Sequence, residues 1–101
     1  MNFGLKDSDL NYIRQIVKNF PEIDDIVIFG SRAIGNYKPG SDIDICIKGK
    51  NISLDTVSKL KAALEDMGPL PYFVDIIDYN NIDNLELQKH IDEFGIILNS
   101  N

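Results

Sequence analysis

A chain of 101 residues, 44% of them apolar and 26% charged, has the size and composition of one small globular domain spanning residues 1–101. Its formal charge of −6 excludes a protein that grips nucleic acid through the phosphate backbone, which needs a basic face. The single cysteine, Cys46, excludes a disulfide framework or zinc–thiolate cluster, and no apolar stretch has signal-peptide or membrane-helix length, so a cytoplasmic location without membrane contact is the default expectation.

Ser8 is the expected cap of a first helix running to about Asn19, because Leu10, Ile13, Ile16, Val17 and Phe20 recur at helical spacing until Pro21 ends the pattern. Asp25 to Phe29 is a short, nearly continuous β-branched run that reads as a strand buried on both faces. A polar loop from Gly30 to Ser41 follows, with one helical turn starting at Ser31. Asp42-Ile43-Asp44-Ile45-Cys46-Ile47 then alternates strictly, which is a strand period. Ser53 or Asp55 caps a helix carrying Val57, Leu60, Ala63 and Leu64, closed near Gly68-Pro69. Tyr72 to Ile77 is a third strand, Asn84 to Glu93 a last helix stopped by Gly95, and Ile96 to Leu98 a short fourth strand. This order predicts an α+β fold: a mixed sheet of about four strands with helices packed against it.

The strongest chemical signal is Asp42-x-Asp44. Period-two geometry puts Asp42, Asp44 and Cys46 on one face and Ile43, Ile45 and Ile47 on the other. Two carboxylates that close repel each other unless a cation lies between them, and hard divalent ions prefer carboxylate oxygen, so the pair points to Mg²⁺. Standing alone, the same tripeptide is also a solvated strand face. An EF-hand is excluded, because the loop's obligatory glycine would fall on Ile47. Gly30-Ser31 directly after a buried strand is the second signal: glycine allows close backbone approach, Ser31 can cap the following turn toward an anion, and Arg32 adds a charge suited to phosphate. Gly30-x4-Gly35 is not a P-loop, since Asn36-Tyr37 replaces the required Lys-Ser/Thr. A third acid, Asp75, interrupts the apolar run Phe73-Val74-Asp75-Ile76-Ile77, where burial is costly unless it is paired or metal-bound, the alternative being an exposed acid on an edge strand. Asp78 is its rival but stands at the strand end. His90 reads as a surface histidine, Cys46 as a small apolar filler, and Tyr37 and Lys38 as loop residues beside the site.

Ser31 and Asp42 stand eleven residues apart, each at a strand edge. Gly30-Ser31-Arg32-Ala33, then Gly35, then Ser41-Asp42-Ile43-Asp44-Ile45 resembles the signature of the DNA polymerase beta superfamily of nucleotidyltransferases, and within it the minimal nucleotidyltransferases. The resemblance covers residues from about 20 to 80. It implies a polymerase-beta-like fold and in-line transfer of a nucleoside monophosphate, AMP from ATP, to an acceptor hydroxyl. It assigns Asp42, Asp44 and Asp75 as catalytic metal ligands for two Mg²⁺ ions, and Gly30, Ser31 and Arg32 to nucleotide binding. Members often carry a basic residue where this chain has Ile34, a departure that leaves the carboxylates untouched. Minimal members are commonly paired with a small helical HEPN-type protein in toxin–antitoxin-like modules, which makes such a partner, in a homo- or hetero-oligomer, the expected acceptor. The alternatives are transfer to a small molecule such as an aminoglycoside, for which 101 residues leave no separate acceptor domain, and a non-catalytic partner-binding module.

Overall fold

The structure, a computed structural model, describes residues 3–66 and 68–98. The elements are α1 (Asp7–Val17), β1 (Ile23–Phe29), α2 (Ser31–Ile34), β2 (Ile43–Gly49), α3 (Leu54–Glu65), β3 (Val74–Asp78), a 3-10 turn (Tyr79–Asn81), α4 (Leu85–Phe94) and β4 (Ile96–Ile97). Four strands form one sheet in the order β3-β2-β1-β4. β1 pairs antiparallel with both β2 and β4, while β2 and β3 run parallel, so the sheet is mixed and the α+β expectation is met.

Alternation sorts the strand residues onto two faces. Ile26, Ile28, Ile43, Ile45, Ile47 and Val74 share one buried core with Leu10, Ile13 and Val17 of α1 and Leu60 and Leu64 of α3. Val27, Phe29 and Cys46 point the other way, onto Ile91 of α4. A parallel crossover needs a covering helix, and α3 supplies it between β2 and β3. α3 is also tied to the β3 backbone: Glu65 Oε2 accepts the Val74 N–H at 2.7 Å and Lys61 Nζ donates to the Val74 carbonyl at 2.5 Å.

Several boundaries differ from the sequence expectation. α1 starts two residues early, with Lys6 at the cap position and its backbone N–H bonded to Asp9 Oδ2 at 3.2 Å, so Ser8 lies inside the first turn. Of the two candidate caps for α3, Ser53 serves: its Oγ accepts the Thr56 N–H at 3.2 Å, and Asp55 instead pairs with Lys59 on the surface. β3 begins at Val74, two residues later than expected, and Tyr72 lies under Arg32, 4.7 Å from the guanidinium to the ring centre. No helix among the described residues is long and apolar enough to cross a membrane.

Candidate active site

The end of β1 and the starts of β2 and β3 meet at one edge of the α4-covered face. Phe29 pairs with Asp44 across the antiparallel ladder, and Asp44 pairs with Asp75 across the parallel one. The three side chains therefore stand abreast on one face, on strands spaced by about 4.8 Å. Asp42 lies one residue before β2 begins and is exposed. Asp78 pairs with Ile47, on the face toward α3, and is used locally: its Oδ1 accepts the Asn80 N–H at 3.1 Å. Topology thus separates the two candidate third acids, and Asp75 alone shares the face of Asp44.

Burial at the strand start pushes the half-buried Asp44 carboxyl above its ordinary value, and the charges of Asp75 and then Asp42 push in the same direction. Asp75 itself is exposed on an edge strand, so the burial expected from its apolar neighbours does not occur. What the fold provides instead is a forced neighbour for Asp44.

Gly30 explains why glycine follows β1. Its φ of 73° and ψ of −154° suit only a residue without a side chain, and a Cβ there would collide with Asp44 Oδ2. The carboxylate occupies the space that the missing side chain leaves. Ser31, half-buried, opens α2 directly beside it.

Arg32, the third residue assigned to nucleotide binding, is turned inward. It is only 2% exposed, with Nε and Nη2 donating to the Ser41 carbonyl at 3.1 and 2.6 Å and Nη1 to the Phe3 carbonyl at 2.9 Å. Its guanidinium also lies over the rings of Tyr72 and Tyr37. All three guanidinium nitrogens thus donate to backbone carbonyls of the chain itself. Arg32 anchors Ser41, immediately before Asp42, and its charge opposes the upward shift of Asp44. Tyr37 is likewise a packing partner of Arg32.

His90 is the functional candidate that sequence reasoning missed. Its Nε2 accepts the Gly30 backbone N–H at 2.9 Å, and its ring meets Phe29 edge-on at 6.2 Å and Phe94 at 5.5 Å. The Gly30 N–H is therefore engaged by imidazole. Nothing in the local pattern of α4 signals this contact, which spans 60 residues. Cys46 is fully buried, and burial pushes its thiol up to about 11, which suits packing rather than reactivity.

For the divalent ion that the resemblance implies, the donors fit in kind: Asp44 and Asp75 are direct neighbours on adjacent strands, Asp42 stands two residues before Asp44, and all three offer carboxylate oxygen. Among the described residues, no three His, Cys, Asp or Glu side chains are already drawn into a closed ligand set. Asp42 and Asp75 are both exposed.

A four-stranded mixed sheet thus sets Asp44 and Asp75 side by side, with the Gly30-Ser31 turn against Asp44. The polymerase beta nucleotidyltransferase family matches over residues 11–101, and the chain belongs to it. No curated protein matches the chain. Among solved structures, a toxin–antitoxin with AMP-PNP matches with a TM-score of 0.75 at 23% identity, covering 91% of this chain and 73% of that one. A tri-AMPylated Shewanella oneidensis HEPN toxin in complex with MNT antitoxin matches at 0.72 and 21% identity, covering 96% and 74%. The toxin–antitoxin MntA-HepT matches at 0.71 and 21% identity, covering 95% and 74%. Likeness at this level of identity establishes the shared fold.

Proposed function

We propose that this nucleotidyltransferase domain moves AMP from ATP, with Mg²⁺, onto a hydroxyl of a small helical partner of the HEPN type, and so serves as the antitoxin of a toxin–antitoxin-like pair. The observation that carries the reading is the placement of Asp44 directly beside Asp75, with Asp42 two residues before it and the Gly30 backbone pressed against the carboxylate. The fold neighbours described as toxin–antitoxin complexes, one with AMP-PNP and one with an AMPylated HEPN toxin, support the choice of nucleotide and partner.

In this reading Asp42, Asp44 and Asp75 hold the metal. Bound there, Mg²⁺ would supply charge neutralisation for the triphosphate and the pentacoordinate transition state. Ser31 offers its hydroxyl to the terminal phosphates from the turn whose shape Gly30 permits. Arg32 is a positioning residue that fixes the Ser41–Asp42 approach to β2. Asp75, exposed toward solvent, takes the proton from the acceptor hydroxyl as its oxygen attacks the α-phosphorus and pyrophosphate leaves. The acceptor comes from outside, because the acidic edge is open.

Incubation of the protein with Mg²⁺ and ATP labelled at the α-phosphate, with a co-purified HEPN-type partner or source-cell lysate, tests this. Label on a macromolecule with the wild type and none with Asp44→Asn is the expected result. Label confined to small molecules would redirect the acceptor, and Mg²⁺-dependent ATP binding without transfer would leave a binding module.

A further inference from the structure

We propose that His90 is a positioning residue of the nucleotide site, which holds the Gly30–Ser31 turn in its triphosphate-receiving shape by accepting the Gly30 N–H at Nε2. The inference rests on the nucleotidyl-transfer reading above. Glycine has the widest choice of backbone conformations, so a functional Gly turn must be held by its surroundings. Gly30 is held from two sides: the Asp44 carboxylate fills the space at its Cα, and imidazole accepts its N–H at 2.9 Å. The ring is itself held, edge-on to Phe29 at 6.2 Å and against Phe94 at 5.5 Å, while neighbouring Ile91 is buried against Val27, Phe29 and Cys46.

An imidazole that accepts at Nε2 carries its proton on Nδ1, so the contact selects one tautomer. Asp44 and Asp75 are held by β2 and β3 rather than by the turn, and His90 bears on Asp44 only through its charge, which opposes the upward shift of that carboxyl. Loss of the acceptor should therefore let the turn relax and weaken nucleotide capture while leaving turnover of bound nucleotide near normal.

The experiment compares KM for ATP, kcat for labelled transfer and Kd for a non-hydrolysable ATP analogue among wild type, His90→Phe and His90→Gln, with a melting curve for each. Phe keeps an aromatic ring against Phe29 and Phe94 but removes the acceptor, and Gln restores one through its side-chain carbonyl. His90→Phe is expected to raise KM and Kd about tenfold with kcat within about threefold, and His90→Gln to recover most of the affinity. Unchanged affinity in His90→Phe overturns the proposal, as does an equal loss in both folded variants, which would assign the effect to ring packing. Imidazole ¹⁵N spectra of the wild type provide a check that needs no variant: the Nδ1-protonated tautomer with a slowly exchanging Gly30 amide supports the contact, and the Nε2-protonated tautomer refutes it. A wild type that neither binds nor transfers ATP removes the nucleotide reading and this proposal with it. A wild type that binds, matched by His90→Phe, removes the His90 role alone.

Discussion

The two faces of the sheet are built from the same strands and behave as different materials. Toward α1 and α3 the strands present Ile26, Ile28, Ile43, Ile45 and Ile47, each with no measurable exposure, sealed by two helices. Toward α4 the alternate positions present Phe29, Asp44, Cys46 and Asp75, and the acidic end is left open. Charge behaves oppositely on the two sides. Backbone and lysine donors around Glu65, on the α3 side, hold its carboxyl below the ordinary range, whereas burial and neighbouring acids hold Asp44 above it. One face stores stability, and the other spends part of it to keep repelling carboxylates together.

The largest expected effect comes from Asp44→Asn. Labelled transfer should fall by about a thousandfold or more, since metal clamping contributes several kcal/mol and each ~1.4 kcal/mol is tenfold. Stability at neutral pH should not fall, because an ionised group in an unfavourable setting is removed. The folded protein binds the Asp44 proton more tightly than the unfolded chain does. Its contribution to stability therefore declines as pH rises from about 3.8 through the raised folded value. Denaturation curves across that window should be flatter for the Asn variant; an unchanged slope would count against the packing of Asp44 at the strand start.

On the sealed face, Ile45→Ala should cost about 2–5 kcal/mol by opening a cavity between sheet and helices. Turnover per folded molecule should stay near wild type. A selective loss of kcat in a fully folded Ile45→Ala would show that the faces are coupled more tightly than their contacts suggest. Gly30→Ala joins the two regions. With φ at 73° and a Cβ directed at Asp44, it should lose about 1–3 kcal/mol in thermal unfolding together with most activity. Retained activity there would mean that the Gly30–Asp44 contact is not required. The smallest effect belongs to Lys59→Ala, which removes an exposed pair with Asp55 on α3 and should change stability by less than about 0.5 kcal/mol.

Much of this molecule is legible in the order of its amino acids alone. Strict alternation in β2 assigns Ile43, Ile45 and Ile47 to the core and Asp44 to the opposite face, because a strand's side-chain period is two whatever it packs against. The element order and the Gly30-Ser31/Asp42-x-Asp44 pair are equally local, written within a few residues of chain. Tertiary structure alone decided that β3 lies parallel beside β2, which makes Asp75 and not Asp78 the neighbour of Asp44. It also turned Arg32 inward onto the Ser41 and Phe3 carbonyls, and it brought His90 across 60 residues to Gly30. Arg and His carry donors and acceptors that bond equally well to a phosphate, a carbonyl or an amide. Which partner they meet depends on long-range strand pairing and helix docking, and no local pattern records that choice.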